Sequence, residues 1–222
     1  MTEGAHATAP APPCDEAWEI ALRLAWDGFC VGTTPVGAVV VGPSGDIVTA
    51  GRGRRYESSA PQQQLANSHV AHGELNALAQ LPVDRHWEDH VLLTTLEPCG
   101  MCHGAAVQAT IGGLAYAAPD PYGGTAGTPF TTPQSRRRPL ALQGPLPDER
   151  GAFATLLHIV WLMERPTAGH VVALHHQALP ALTAYAEQRK SELLRAAAAG
   201  DYLGARGLGA EAPCTDLVAA GG

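Results

Sequence analysis

The chain has 222 residues, of which 45% are hydrophobic, and a formal net charge of −7. This length is enough for one sizeable core and an additional helical part, and the excess of acidic residues argues against an extensive nucleic-acid surface, which depends on clustered lysine and arginine. Because the apolar runs are too short to span a membrane and the five cysteines suggest no disulfide framework, we expect a protein of the reducing cytoplasm.

The N-terminal part predicts a tail, a helix and two strands. Residues 1–14 are rich in alanine and proline and lack the basic start and apolar segment of a signal peptide, so we expect a disordered tail. Asp15 can cap a helix in which apolar residues recur at helical spacing as far as Phe29. A β-branched apolar run at 36–41 and a second run at 47–50 are typical of a buried hairpin.

Helices and strands alternate in the middle of the chain. After a long polar loop at 54–70, helices are predicted at 72–81 and 99–110, and strands at 91–96 and 114–118. Such alternation favours parallel strands that are joined by crossover connections. The sequence therefore predicts an α/β core.

The C-terminal part predicts a helical extension. Residues 131–147 are rich in proline and glycine and are expected to form a linker. The extension, 148–203, begins with a helix that carries a continuous apolar stripe, and a second helix is predicted near 179–199. These helices could pack on the core, close a functional site or form a subunit interface. Residues 204–222 are expected to be flexible.

One spaced motif carries chemistry. His72-Gly73-Glu74 is followed, 24 residues after the glutamate, by Pro98-Cys99-Gly100-Met101-Cys102. One histidine and two cysteines leave a tetrahedral zinc ion one position for water, which is the arrangement of a catalytic zinc site. Glu74 is close enough to handle the proton of that water without binding the metal. The motif predicts one Zn²⁺ per chain, bound by His72, Cys99 and Cys102.

The cysteine pair also fits signatures other than that of a catalytic zinc site. Cys99 to His103 contains the C-x-x-C-H signature of c-type haem attachment, and C-x-x-C also occurs in thioredoxin-like redox sites. Neither gives His72 and Glu74 a role. A structural zinc site would need a fourth ligand, and His103 would point around the helix away from the two cysteines. The two-part motif therefore favours a hydrolytic site.

The chain resembles the cytidine/deoxycytidylate deaminase superfamily, in particular the branch that contains tRNA adenosine, guanine and fungal-type cytosine deaminases. The H-x-E and P-C-x-x-C signature is that of the zinc deaminases. The resemblance extends over about 16–130 and is carried by several segments in the same order, namely 35–41, 51–53, 72–78, 93–102 and 111–121. It implies a three-layer α-β-α sandwich with a mixed central sheet, comprising residues 15–130, and a homodimer.

The resemblance also implies a reaction and a substrate slot. Hydrolytic deamination of a nucleobase, nucleoside or related aminated heterocycle would release ammonia, with Glu74 transferring the protons. The family segments that line or contact the ring correspond here to two stretches of the chain: Val36, Gly37 and Ala38, and Leu96 and Glu97. Glu97 is also expected to orient the metal-binding loop. The acidic charge favours a small-molecule substrate, and the alternative is a tRNA-specific adenosine deaminase.

The loop after Gly53 departs from the family pattern. The family commonly places an asparagine two residues after G-x-G, where its amide contacts the substrate, and Arg55 occupies that place here. If Arg55 enters the pocket, the substrate should offer negative charge or paired acceptors, because a guanidinium only donates. Alternatively, the longer loop brings in Asn67 to supply the amide. The other histidines, His158, His170 and His175 included, have no spacing that predicts a role.

Overall fold

The computed structural model describes residues 14–128 and 131–221. Within these residues one mixed sheet is present, with its strands in the spatial order β2-β1-β3-β4-β5. In chain order the strands are β1 (Gly37–Val41), β2 (Ile47–Arg52), β3 (Val91–Leu96), β4 (Gly113–Ala118) and β5 (Ala141–Gln143). β1 is antiparallel to both β2 and β3, whereas β3, β4 and β5 are parallel. The predicted α/β fold with a mixed central sheet is confirmed.

Helices cover both faces of the sheet. They are α1 (Asp15–Cys30), α2 (Gly73–Leu78), α3 (Gly100–Gln108), α4 (Pro133–Arg137), α5 (Glu149–Met163), α6 (Gly169–Ala178), α7 (Pro180–Ala199), α8 (Tyr202–Ala210) and α9 (Thr215–Ala220). No helix in the described part of the chain combines the length and the apolar character needed to cross a membrane.

The side chains of β1 point alternately to the two faces of the sheet, and each face has its own hydrophobic cluster. Val39 and Val41 pack with α1, α5 and the following helices, whereas Ala38 and Val40 pack with α2 and α3. Successive side chains of a strand point to opposite faces, so a strand that is apolar throughout must be covered on both sides. The result is the predicted three-layer arrangement, with the C-terminal helices added outside α5.

Two predicted irregular segments contain regular structure. The expected linker, 131–147, includes α4 and β5, and β5 extends the sheet by pairing with β4. Three half-exposed residues are too few to show an apolar pattern, so this strand depends on the hydrogen bonds that β4 offers. Of the expected tail, residues 1–13 lie outside the described residues.

The expected flexible segment, 204–222, is largely folded. Ala205 of α8 and Leu217 of α9 are fully buried in the core cluster. Gly209 allows α8 to approach α5 closely, because an added Cβ would lie 2.7 Å from Phe153 Cβ. Gly209 therefore permits close helix packing, and α8 and α9 both contribute residues to the core.

Candidate active site

Two helix N-termini bring the three predicted metal ligands together. His72 is the N-cap residue of α2 and Cys99 is that of α3, and neither side chain caps its own helix. His72 Nδ1 lies 3.8 Å from Cys99 Sγ and 3.5 Å from Cys102 Sγ, and the two sulfur atoms are 3.6 Å apart. With Zn–S of about 2.3 Å and Zn–N of about 2.0–2.1 Å, the ligand atoms of a tetrahedral ion are roughly 3.5–3.8 Å apart. The three residues fit a zinc ion.

The two thiols form a coupled pair. The contact between the two sulfur atoms lowers the pKa of Cys99 to about 3 and raises that of Cys102. The contact between His72 Nδ1 and Cys99 Sγ raises the pKa of His72. The lowered pKa favours the thiolate form of Cys99, which is the form in which cysteine binds a metal.

Glu74 is a buried carboxylate beside this ligand set. Its side chain lies on the first turn of α2, and the residue is only 3% exposed. Burial raises the pKa of its carboxyl group, because the charged form loses solvation. Glu74 Oε2 has no hydrogen-bond partner within the described ranges. Such an atom needs a polar partner, and a water or substrate group in the adjoining cavity can provide it.

A cavity of about 410 Å³ opens over His72, Glu74 and Cys99. The core contributes Val36 and Leu96 to its wall. The opposite part of the wall comes from the region of α5 and α6, and its residues include His158, Trp161, Leu162, Arg165, His170 and Val171. Of the three roles considered for the C-terminal helices, the structure therefore shows packing on the core together with closure of this cavity.

The predicted substrate contacts separate into two groups. Val36, Leu96 and Glu97 line the cavity. Gly37 and Ala38 are not among the described residues that line it. Gly37 instead allows α1 to pack on β1, because an added Cβ would lie 2.0 Å from a backbone carbonyl oxygen of α1, and Ala38 packs in the core beneath α2. The sequence resemblance alone could not separate residues that line the slot from neighbours that support it.

Arg55 and Asn67 are also separated. Arg55 lines the cavity, its guanidinium contacts His69, and its Nε is buried with no hydrogen-bond partner in the described part of the chain. Asn67 is exposed, has a positive φ of 48° and is not among the described residues that line the cavity. The geometry thus places the arginine, and not the replacement amide, at the pocket.

Asn76 explains the path of this loop, and the sequence did not single it out. Its side-chain oxygen accepts from Leu65 N–H, and its amide donates to the carbonyls of Arg52 and Leu65. Arg54 pairs with Glu57, so its charge is used within the loop. An asparagine on a predicted helix that follows a long loop is the available sequence signal, although it does not identify the partners.

Glu97 ties the segment after β4 to the metal-binding helix. Its carboxylate accepts from Asp120 N–H at 3.0 Å and from Ala126 N–H at 2.8 Å. Within the same segment, Thr125 N–H and its hydroxyl both donate to the carbonyl of Pro98. Glu97 therefore holds the loop against the start of α3, where Cys99 and Cys102 lie.

Three residues near the cavity were missed by the sequence. Ligand atoms of Asp120, His158 and His175 lie within 4.8 Å of one another. Burial lowers the pKa of both histidines, because the imidazolium form would lose its solvation. Each histidine interrupts the apolar face of its helix, which is a weak signal. Their convergence on Asp120 depends on how α5 and α6 pack.

Comparison with known proteins agrees with this site. Residues 13–118 match the family model for the cytidine and deoxycytidylate deaminase zinc-binding region. The chain is 37% identical over 121 residues to the tRNA(Ile)-lysidine synthase of Deinococcus radiodurans, a match that covers 53% of this chain and 19% of that one. It is 34% identical over 113 residues to the tRNA-specific adenosine deaminase of Haemophilus influenzae, covering 50% and 61% of the two chains. The chain thus spans less than two thirds of either relative.

Solved structures share the fold. A tRNA:A34 deaminase superposes with a TM-score of 0.51 at 27% identity, covering 64% of this chain and 99% of the other. The guanine deaminase of Nitrosomonas europaea superposes with a TM-score of 0.50 at 22% identity, covering 68% and 88%, and at this identity the likeness concerns the fold.

Proposed function

Since residues 13–118 belong to the family of cytidine and deoxycytidylate deaminase zinc-binding regions, we propose that this protein is a zinc-dependent hydrolase that deaminates a small aminated heterocycle. The substrate is a nucleobase, a nucleoside or a related ring compound, and the products are the corresponding oxo compound and ammonia. The observation that carries the proposal is the spacing of the ligand atoms of His72, Cys99 and Cys102, which suits a tetrahedral zinc ion. Beside them lies Glu74 Oε2, which is buried and has no hydrogen-bond partner among the described residues.

The chain provides both the metal ligands and the proton-transfer group. His72, Cys99 and Cys102 would bind the zinc ion, which when bound acts as a Lewis acid and lowers the pKa of water to about 7. Glu74 accepts a proton from the attacking water and delivers it to the ring nitrogen beside the amino-bearing carbon. Glu74 then takes the proton of the newly added hydroxyl group and passes it to the amino nitrogen, so that the C=O bond forms as the C–N bond breaks and ammonia leaves. Burial, which raises the pKa of Glu74, favours a carboxyl group that can hold the proton between these transfers.

The cavity supports a small substrate. Its volume of about 410 Å³ lies within the range of small-molecule pockets, roughly 300–1,000 Å³. Val36, Leu96 and Trp161 provide apolar surface for a planar ring. Residues of α5 and α6 complete the wall of this cavity.

Two arginines favour a substrate with an electron-rich end. Arg55 and Arg165 both line the cavity. Arg165 donates to the carbonyls of Gly32 and Trp161, so its position is determined by the protein. Arg55 keeps a buried Nε with no partner among the described residues. A carbonyl, carboxylate or phosphate group on the substrate would pair with it.

A second candidate function is deamination of adenosine in tRNA. The 34% identity to the Haemophilus influenzae relative supports it. The net charge of −7 opposes it, since binding to a phosphate backbone depends on clustered positive charge. The homodimer and the cytoplasmic location expected from the sequence stay predictions.

The test is an ammonia-release screen with the zinc-loaded protein. The substrates are free bases, nucleosides, nucleotides, triazines and a tRNA transcript, and Glu74→Gln is the matched inactive variant. We expect release from one class of small heterocycle and loss of release in Glu74→Gln. Release from tRNA alone, with an affinity that falls steeply with salt, would favour the second candidate. No release from any substrate, or release unaffected by Glu74→Gln, would contradict the proposed reaction.

A further inference from the structure

A second group of possible metal ligands lies in the wall of the same cavity. Asp120 follows β4, His158 lies on α5 and His175 lies on α6. One ligand atom of each lies within 4.8 Å of the other two. Asp120 and His158 line the cavity, and His175 is fully buried. Three elements that are distant in sequence therefore bring two imidazoles and one carboxylate to one place.

The two imidazoles have nitrogen atoms that require a partner. His175 Nδ1 lies 2.9 Å from the carbonyl oxygen of Val171, so Nδ1 carries the proton and donates it. Nε2 of His175 is then a lone-pair acceptor, and it is buried with no hydrogen-bond partner in residues 14–128 and 131–221. Nδ1 of His158, a residue only 7% exposed, is also buried with no hydrogen-bond partner among the described residues. A buried polar atom of this kind calls for an additional group.

The hydrogen bond to Val171 is the kind that orients a metal-binding histidine. Such histidines nearly always donate their second N–H to a backbone carbonyl or a carboxylate, which determines the tautomer and the ring orientation. Asp120 is oriented as well, because one of its carboxylate oxygens accepts from Tyr122 N–H at 2.9 Å and its backbone N–H donates to Glu97. His175 and Asp120 are thus oriented by contacts within the protein.

We propose that Asp120, His158 and His175 form a second binding site for a divalent transition-metal ion, of the class with two histidines and one carboxylate. This ligand set occurs in catalytic zinc sites and in non-haem iron sites. The carboxylate supplies negative charge, and neutral imidazoles supply the remaining ligands. Because Asp120 and His158 face the cavity, an ion bound there is accessible to an oxygen atom of a substrate. The site does not depend on the proposed deaminase reaction.

Metal content tests the proposal directly. The full chain is stripped with a chelator, titrated with zinc alone, desalted and assayed for bound metal. We expect two zinc equivalents for the unmodified protein and one for His175→Leu. His170→Ala is the matched control, because His170 lines the cavity but does not belong to the cluster, and it should retain two. Cys102→Ala should also retain one equivalent, bound at the second site, which separates this proposal from failure of the first.

Cobalt distinguishes the two sites by their ligands. A cobalt ion bound by His72, Cys99 and Cys102 gives a thiolate-to-metal charge-transfer absorption, whereas one bound by Asp120, His158 and His175 gives only d–d bands. The second equivalent should therefore add no charge-transfer intensity, and His175→Leu should lose only the second step.

Two results would overturn the proposal. One is a single zinc equivalent in the unmodified protein, which would mean that the cluster binds a water molecule and not a metal ion. The other is two equivalents in both His175→Leu and His170→Ala, which would indicate binding elsewhere. If His175→Leu does not fold, Asp120→Asn decides the question. This variant keeps an acceptor for Tyr122 and removes the charge, so unchanged affinity for the second ion would also overturn the proposal.

Discussion

The α/β core and the helical part from α5 onward contribute residues to the cavity in different ways. In the α/β core, the predicted metal ligands and Glu74 are concentrated in two short motifs at the starts of α2 and α3, and the family match ends at residue 118. In the helical part, from α5 onward, single residues on an apolar surface complete the cavity wall. We therefore expect the core to contribute the proposed chemistry, whereas the residues from α5 onward contribute part of the cavity wall.

The largest effect is expected from the metal ligands of the core. Cys102→Ala should lose the zinc ion of this site and all measurable deaminase activity, and it should lower the melting temperature, because the starts of α2 and α3 are no longer held together. Bound metal, ammonia release and thermal unfolding check this. Cys30→Ala is the matched control, since Cys30 is an exposed cysteine on α1. Full zinc occupancy at this site in Cys102→Ala would remove Cys102 from the ligand set.

The next effect separates catalysis from metal binding. Glu74→Gln should reduce kcat by about 10²–10⁴-fold, the usual contribution of general acid–base catalysis, while zinc content and melting temperature stay near those of the unmodified protein. Steady-state kinetics and metal analysis measure both. Glu16→Gln, at an exposed carboxylate on α1, serves as the control. Loss of metal together with activity would mean that Glu74 has a structural role.

A pair of leucine variants tests whether the α/β core and the helical part unfold as one unit. Leu93 of β3 and Leu157 of α5 are both fully buried in the same core cluster. Each leucine-to-alanine change should lower the free energy of unfolding by about 2–5 kcal/mol and leave a single transition. Denaturant titration followed by fluorescence and by circular dichroism measures this. Two separate transitions, or an unchanged midpoint for Leu157→Ala alone, would show that the helical part is an independent unit.

The smallest effect concerns substrate binding. Arg55→Ala should raise the transition-state free energy by about 1.5–3 kcal/mol, measured as kcat/KM, because a charged hydrogen bond to the substrate is lost. Asn67→Gly is the control variant, since glycine suits the positive φ at this position. The side chain of Asn67 is exposed, and Asn67 is not among the described residues that line the cavity. It should behave like the unmodified protein. If both variants do, neither residue contacts the substrate.

The local patterns predicted most of the core. Short apolar runs and helical spacing located β1, β3, β4 and α1 to within a few residues. The strand β5 and the helices α8 and α9 were not predicted, because three half-exposed residues and a glycine-rich stretch carry little apolar signal before they meet their partners.

The sequence by itself determined which residues can hold a zinc ion. Two short segments, each at the start of a helix, contain the predicted ligands His72, Cys99 and Cys102 together with Glu74. Because each segment is continuous in the chain, its spacing can be recognised in the sequence. Only the tertiary structure decided that Arg55 and not Asn67 faces the cavity, that α5 and α6 form its wall, and that Asp120, His158 and His175 converge. An apolar stripe shows that a helix will be buried, but the crossing and rotation of the packed helices determine which polar side chains meet.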